Sequence, residues 1–259
     1  MVKAVFFDID GTLVSFKTHA VPESTREALK LLRQKGIKIF IATGRPFMAI
    51  DNLDGLEFDA YITLNGGYCL TGDGGVIYKS TIPAQDIQSL VGYQEDIRSF
   101  PCMAAIENSV VINYIDDNVR HILKLINFPT PVITEFSTIK DQEVFQLMAF
   151  VDKKEEDHLM KNVLVGCTPT RWNPLFTDII KAGNSKQTGM DKLLEYYNIG
   201  LDKTMAFGDG GNDIPMLQHA NMSVVMGNAE DEVKRFAGYI TDSVDEDGVW
   251  NALKKFSVI

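Results

Sequence analysis

Asp8 and Asp10 stand near the end of an apolar run, Val5-Phe6-Phe7-Asp8-Ile9-Asp10-Gly11-Thr12-Leu13-Val14. Two acids two residues apart share one face of an extended chain. They would repel each other unless a cation or a proton offsets them. Their chemistry is that of a divalent metal site, of catalysis, or of both, although Asp and Gly are also ordinary residues of a strand-to-turn connection.

Three more polar clusters follow apolar runs in the same way. Residues 37–42 lead into Thr43-Gly44-Arg45, residues 61–64 into Asn65-Gly66-Gly67, and residues 204–207 into Gly208-Asp209-Gly210-Gly211-Asn212-Asp213. Thr43, Gly44 and Arg45 offer a hydroxyl, a backbone N–H and a guanidinium, which are donors for phosphate oxygens. Thr43 is equally compatible with a helix cap. Asp8, Asp10, Asp209 and Asp213 form an acid-rich, all-oxygen set of the kind that suits Mg²⁺. Residues 208–213 lack the Gly-Lys-Ser/Thr ending of a P-loop, so their acids favour metal over phosphate. Asn212 or Asp213 taken singly also suits a helix cap. Lys186 falls at a helix start, where a cation opposes the helix dipole, and this favours an anion nearby.

The elements that must position these residues alternate strand and helix, as in a parallel, doubly wound sheet. Apolar runs on both faces suit buried central strands, and polar clusters after each run then share the carboxyl edge. A helix enters at Val21-Pro22-Glu23-Ser24-Thr25 and stops at Lys35-Gly36. From about residue 82 to 182 the pattern changes. Strands are expected at 110–115, 145–151 and 175–180, and helices at 84–98, 117–126 and 153–163, which reads as a small α+β insertion. The core style resumes with a helix at 185–197, short strands at 204–207, 223–226 and 239–241, and a helix at 231–236. The expected organisation is core at 1–81, insertion at 82–182 and core at 183–259.

The chain has 259 residues and a net charge of −10. That balance argues against nucleic acid or an anionic membrane surface as partner. Three cysteines without short paired spacing suggest neither a zinc site nor a disulfide framework. No secretory leader or membrane-length stretch is read, so a cytoplasmic protein is expected.

The four clusters, in order, resemble the motifs of the haloacid dehalogenase-like hydrolase superfamily: Asp8-Ile9-Asp10, Thr43, Lys186 and the segment from Gly208 to Asp213. The insertion, Thr43-Gly44-Arg45 and Leu64-Asn65-Gly66 are similar to its Cof-type branch. The resemblance implies an α/β, Rossmann-like parallel sheet core with an inserted α/β cap domain. It also implies Asp8 as nucleophile forming an aspartyl-phosphate, and Asp10 as general acid and then base. Mg²⁺ would be held by Asp8, the Asp10 backbone carbonyl and Asp209, with Asp213 as ligand or support. Thr43, Gly44 and Lys186 would bind phosphoryl oxygens, Asn212 would orient Asp209 or the phosphate, and Arg45 and Asn65 would face the substrate. The cap would close over the site, with Arg171-Trp172-Asn173 as candidate sugar contacts in a Pro-flanked loop, or as ordinary packing and solvated residues.

A monomeric phosphatase of small phosphorylated metabolites, hexose phosphates first, is the expectation. A phosphatase of pyridoxal phosphate or flavin mononucleotide, a phosphomutase, a non-catalytic sugar-phosphate binder and a phospho-accepting receiver are the alternatives.

Overall fold

The computed structural model describes residues 1–53 and 55–259, with the side chain of Trp172 outside the description. The chain divides into two units, Met1–Lys79 with Ser185–Ile259, and Ser80–Asn184.

The first unit opens with β1 (Ala4–Phe7), α1 (Glu23–Gln34), β2 (Lys38–Ala42) and β3 (Ala60–Thr63), then a hairpin of β4 (Tyr68–Thr71) and β5 (Val76–Lys79). The second unit carries α2 (Ala84–Asp96), β6 (Cys102–Ile106), β7 (Ser109–Ile112), α3 (Asp117–Leu125), β8 (Val132–Ile133), β9 (Val144–Ala149), α4 (Lys153–Asn162), β10 (Cys167–Asn173) and β11 (Phe176–Lys181). The first unit resumes with α5 (Lys186–Tyr197), β12 (Thr204–Gly208), α6 (Ile214–His219), β13 (Met222–Val225), α7 (Asp231–Lys234), β14 (Tyr239–Ile240) and α8 (Gly248–Lys255).

Alternation along β1 sets the layers of the first unit. Phe7 joins Ile39, Ile41 and Phe207 in a core with Leu29 and Leu32 of α1 and Leu253 of α8. Phe6 joins Phe40 and Ala206 on the other face, under Met190 and Leu193 of α5 and Met216 of α6. Both faces of the strand are therefore covered, and its apolar run is continuous for that reason. The rings of Phe7 and Phe207 stack with centroids 4.9 Å apart. Each such ring contributes about 1.5–3 kcal/mol by burial.

The sheet order is β14-β13-β12-β1-β2-β3-β4-β5. Strands from β14 to β3 are parallel, and β4 and β5 run antiparallel at one edge. From β1 the chain steps outward through β2 and β3. On its return it enters at β12, on the other side of β1, and steps away through β13 and β14. The strand order reverses between β1 and β12, and ligands of open α/β sheets bind in the crevice at that switch point.

The second unit has a six-stranded sheet, β10-β11-β9-β6-β7-β8, antiparallel except for β7 with β8. Ile87, Leu90 and Val91 of α2 and Leu159 of α4 pack on Cys102, Ala104, Leu147 and Ile179. The strands expected at 110–115, 145–151 and 175–180 are β7, β9 and β11. Sequence reading misses β6, β8 and β10, as well as the β4–β5 hairpin, α6 and α8. Cys-Met-Ala-Ala-Ile has neither alternation nor β-branched enrichment, and β10 contains Pro169, which is tolerated because β10 is an edge strand. Arg171 and Asn173 therefore lie at a strand end rather than in a loop. Among the described residues, no helix is long and apolar enough to cross a membrane.

Candidate active site

The polar clusters follow four neighbouring parallel strands of the first unit. Asp8 succeeds β1, Thr43 succeeds β2, Asn65 lies in the turn after β3, and Asp209 succeeds β12. Side-chain bonds join them across the sheet edge. Lys186 Nζ donates to Asp8 Oδ1 at 2.5 Å and to Asp213 Oδ1 at 2.6 Å. Thr12 Oγ1 donates to Asp209 Oδ1 at 2.9 Å, and Asn212 Nδ2 to Asn65 Oδ1 at 3.0 Å.

Lys186 is fully buried at the first position of α5, behind a capping box formed by Ser185 and Thr188. The anions that offset its unfavourable place in the helix dipole are the protein's own carboxylates. Burial opposes its charge, but Asp213 and Asp8 outweigh that and hold its pKa above the ordinary lysine value. Asp8, Asp209 and Asp213 each bring an oxygen within 4.8 Å of the others. One lysine does not neutralise three acids. Burial, assisted by Asp213, Asp209 and Asp10, lifts the Asp8 carboxyl well above its usual range, although Lys186 pulls it down. Burial and Asp213 likewise lift Asp209 to about 7 against the pull of Thr12 and Lys186. An all-oxygen donor set that is short of positive charge fits Mg²⁺.

Asp213 spends both oxygens on the protein. Oδ1 accepts from Lys186, while Oδ2 accepts from the N–H groups of Asp209 at 3.0 Å and Gly210 at 2.9 Å. It orders the loop that presents Asp209. On the facing turn, Gly11 has φ +84°, and a Cβ there would lie 2.1 Å from Asp209 Oδ2. Only glycine permits both that backbone and that approach.

Arg45 reaches Asp10 rather than open space. Its Nε donates to Asp10 Oδ2 at 2.7 Å and its Nη2 to Asp10 Oδ1 at 2.8 Å, while Nη1 donates to the Ala49 carbonyl at 3.1 Å. Burial weakens the guanidinium's hold on its proton, yet the Asp10 bonds and charge more than restore it. The guanidinium fork of Arg45 is thus taken by an acid of the site itself.

Three consecutive residues after β3, Leu64, Asn65 and Gly66, have φ of 51°, 52° and 89°. Left-handed backbone costs a residue such as leucine about 1–2 kcal/mol, and such strain persists where surrounding structure enforces it. Here Leu64 N–H bonds the Arg45 carbonyl and Asn65 N–H the Thr43 carbonyl. A Cβ on Gly66 would meet the Ser185 carbonyl at 2.0 Å, so the turn sits tightly against the start of α5. The Asn65 amide lies beside Gly44, 3.1 Å from where a Cβ would stand. Within the described residues, Asn212 Nδ2 donates to Asn65 Oδ1. Thr43 Oγ1 accepts from Arg45 N–H at 3.0 Å and still has its own hydrogen to donate.

Two residues escaped sequence reading. Thr12 lies inside the acid motif and could have been found by its place there. Asn228 donates to the Gly11 carbonyl at 2.9 Å, across 217 residues of chain, and reaches Asp209 Oδ2 at 3.3 Å, with no local signal. In the second unit, Arg171 donates to Glu156 Oε2 and to the carbonyls of Val151 and Pro174, so it packs that unit. The side chain of Trp172 lies outside the described residues.

Residues 5–253 match the family described as haloacid dehalogenase-like hydrolase. The chain is 33% identical to YkrA of Bacillus subtilis (strain 168), which carries a provisional phosphatase name, over 99% of this chain and 98% of that one. It is 27% identical to YitU of the same organism, named 5-amino-6-(5-phospho-D-ribitylamino)uracil phosphatase, over 97% and 96%. Its structure is similar to that of the HAD subclass IIB sugar phosphatase BT4131, with TM-score 0.92 and 41% identity over all of both chains. It is also similar to BT1666 from Bacteroides thetaiotaomicron, with TM-score 0.91 and 40% identity over 100% of this chain and 96% of that one. The chain belongs to the haloacid dehalogenase-like hydrolases, and within them to the Cof-type phosphatases.

Proposed function

We propose that the protein is a Mg²⁺-dependent phosphatase of small phosphorylated metabolites, sugar phosphates such as hexose phosphates first, acting through an aspartyl-phosphate on Asp8. The observation that carries this reading is the buried Lys186 between Asp8 and Asp213, beside an Asp209 whose proton is held up to about 7. Asp8, Asp209 and the Asp10 backbone would hold the cation, with Asp213 bracing Asp209. When bound, Mg²⁺ supplies the positive charge that lets an anionic phosphate approach anionic acids.

An Asp8 oxygen attacks phosphorus, forming an O–P bond as the bond to the leaving oxygen breaks. Asp10 gives that oxygen a proton. Asp10, now a carboxylate, takes a proton from the water that attacks the aspartyl-phosphate. The Asp8 O–P bond breaks, inorganic phosphate leaves and Asp8 is restored. Thr43, the Gly44 N–H and the remaining Lys186 N–H hold the phosphoryl oxygens, where preorganised donors do most for phosphoryl transfer. Asn65 and Asn212, bonded to each other, keep that group in register.

The sugar-phosphate assignment draws on the 41% likeness to a sugar phosphatase. A phosphorylated ribitylamino compound is the second reading, favoured by the names of YitU and YcsE, each 27% identical. The protein is taken to act as a monomer in the cytoplasm, with no nucleic-acid partner. Light scattering that gives a dimer mass would overturn the first of these.

The test is Mg²⁺-dependent phosphate release from sugar, nucleotide and cofactor phosphates, with Asp8→Asn beside the wild type. Turnover on hexose phosphates that disappears in the variant and with EDTA supports the reading. Turnover confined to a ribityl or cofactor phosphate moves the substrate. Isomer formation without phosphate release makes the protein a mutase, and binding without turnover makes it a regulator.

A further inference from the structure

We infer that Asn228 is a positioning residue of the proposed metal site, setting its cation affinity by tying Asp209 to the Gly11 turn. This rests on the metal reading above and assigns a role to a residue outside the acid motifs.

Asn228 follows β13 in a loop pinned on both sides. Met226 N–H bonds the Gly208 carbonyl at 3.0 Å, and Gly227 N–H bonds the Asp242 carbonyl at 3.0 Å. The side chain then uses both ends of its amide. Nδ2 donates to the Gly11 carbonyl at 2.9 Å and approaches Asp209 Oδ2 at 3.3 Å, while Oδ1 accepts from Val244 N–H at 2.9 Å. A flipped amide would set its oxygen against a carbonyl and a carboxylate, so the bonding pattern fixes its sense. Thr12 holds the other oxygen, Oδ1, of Asp209. Asp209 thus receives one side-chain donor on each oxygen, from segments far apart in sequence. The Gly11 turn that Asn228 grips is the one whose α-carbon is pressed against Asp209. One amide therefore sets both the carboxylate and the backbone it faces. Partners of metal ligands in such positions typically govern affinity by 10–100-fold.

The experiment is a calorimetric titration of Mg²⁺ into the full chain without substrate, at a temperature well below unfolding, with thermal midpoints recorded in EDTA. Asn228→Ala is expected to weaken the Mg²⁺ dissociation constant by about 10–100-fold. Asn228→Ser keeps a polar side chain near Val244 but stops short of Gly11 and Asp209. It is expected to do the same, and it carries the test if the alanine variant does not fold. A folded variant that binds Mg²⁺ within twofold of the wild type, even with a lower midpoint, overturns the inference and makes Asn228 a loop tie only. A wild type that binds no Mg²⁺ overturns the metal reading itself, and the inference with it.

Discussion

Arg45 grips Asp10 through two nearly equal bonds, Nε to Oδ2 at 2.7 Å and Nη2 to Oδ1 at 2.8 Å. A planar fork on a carboxylate fixes orientation as well as charge. The side chain proposed to shuttle the proton is therefore held in one pose. Its holder is in turn anchored on the Ala49 carbonyl.

Arg45→Met is expected to lower kcat/KM about 10²-fold on alkyl and sugar phosphates, whose leaving oxygen needs a proton. The loss on p-nitrophenyl phosphate, which needs none, is expected to be smaller. Arg45→Lys should recover little, because an ammonium cannot reproduce the fork. Equal losses on both leaving groups would refute this role for Arg45.

Asp213→Ala leaves buried Lys186 with one partner fewer and two loop N–H groups without their acceptor. Breaking a buried pair of this kind costs about 3–5 kcal/mol. Denaturant unfolding checks it, and a loss below about 1 kcal/mol would show that the loop does not depend on Asp213.

Gly11→Ala meets two obstacles, a φ of +84° and a Cβ 2.1 Å from Asp209 Oδ2. The backbone alone costs about 1–2 kcal/mol, and the contact forces Asp209 aside. The expected result is a folded but less stable protein with a raised Mg²⁺ requirement, read by melting and by metal titration. Wild-type metal binding would mean that the turn relaxes freely.

Proton and cation compete at Asp209. Its carboxyl is raised from the ordinary aspartate value, about 3.9, to about 7, chiefly by burial and Asp213. Between those values the metal-free folded protein holds a proton that the unfolded chain has lost. Stability in EDTA is therefore expected to fall as pH rises through that window. Mg²⁺ binding must displace the same proton, so its apparent affinity should climb with pH and level off above about 7. Melts at pH 5 to 8 with and without Mg²⁺, wild type against Asp209→Asn, test both signs. A metal-free protein that gains stability across the window, relative to that variant, would contradict them.

Much of the first unit was legible in the chain because its signals are short-range. Runs apolar on both faces, each ending in Asp, Thr, Asn or Gly, mark β1, β2, β3 and β12 without any long contact. Lys35-Gly36 stops α1 as expected, with Gly36 at φ +69°. The second unit was less legible. An edge strand such as β10 is freed from the periodicity that burial imposes, and β6 is too poor in β-branched residues to stand out.

The sequence by itself determined which polar residues stand at which strand ends, since strand period and turn chemistry act over a few residues. Who bonds whom was decided only by the tertiary structure. Lys186 meets Asp8 across 178 positions, Asn212 meets Asn65 across 147, and Arg45 meets Asp10 across 35. Those pairings exist because β12 enters the sheet beside β1 and the strained turn after β3 rests on the start of α5. Strand order and backbone strain of that kind depend on the burial of both sheet faces at once, which no local stretch of sequence encodes.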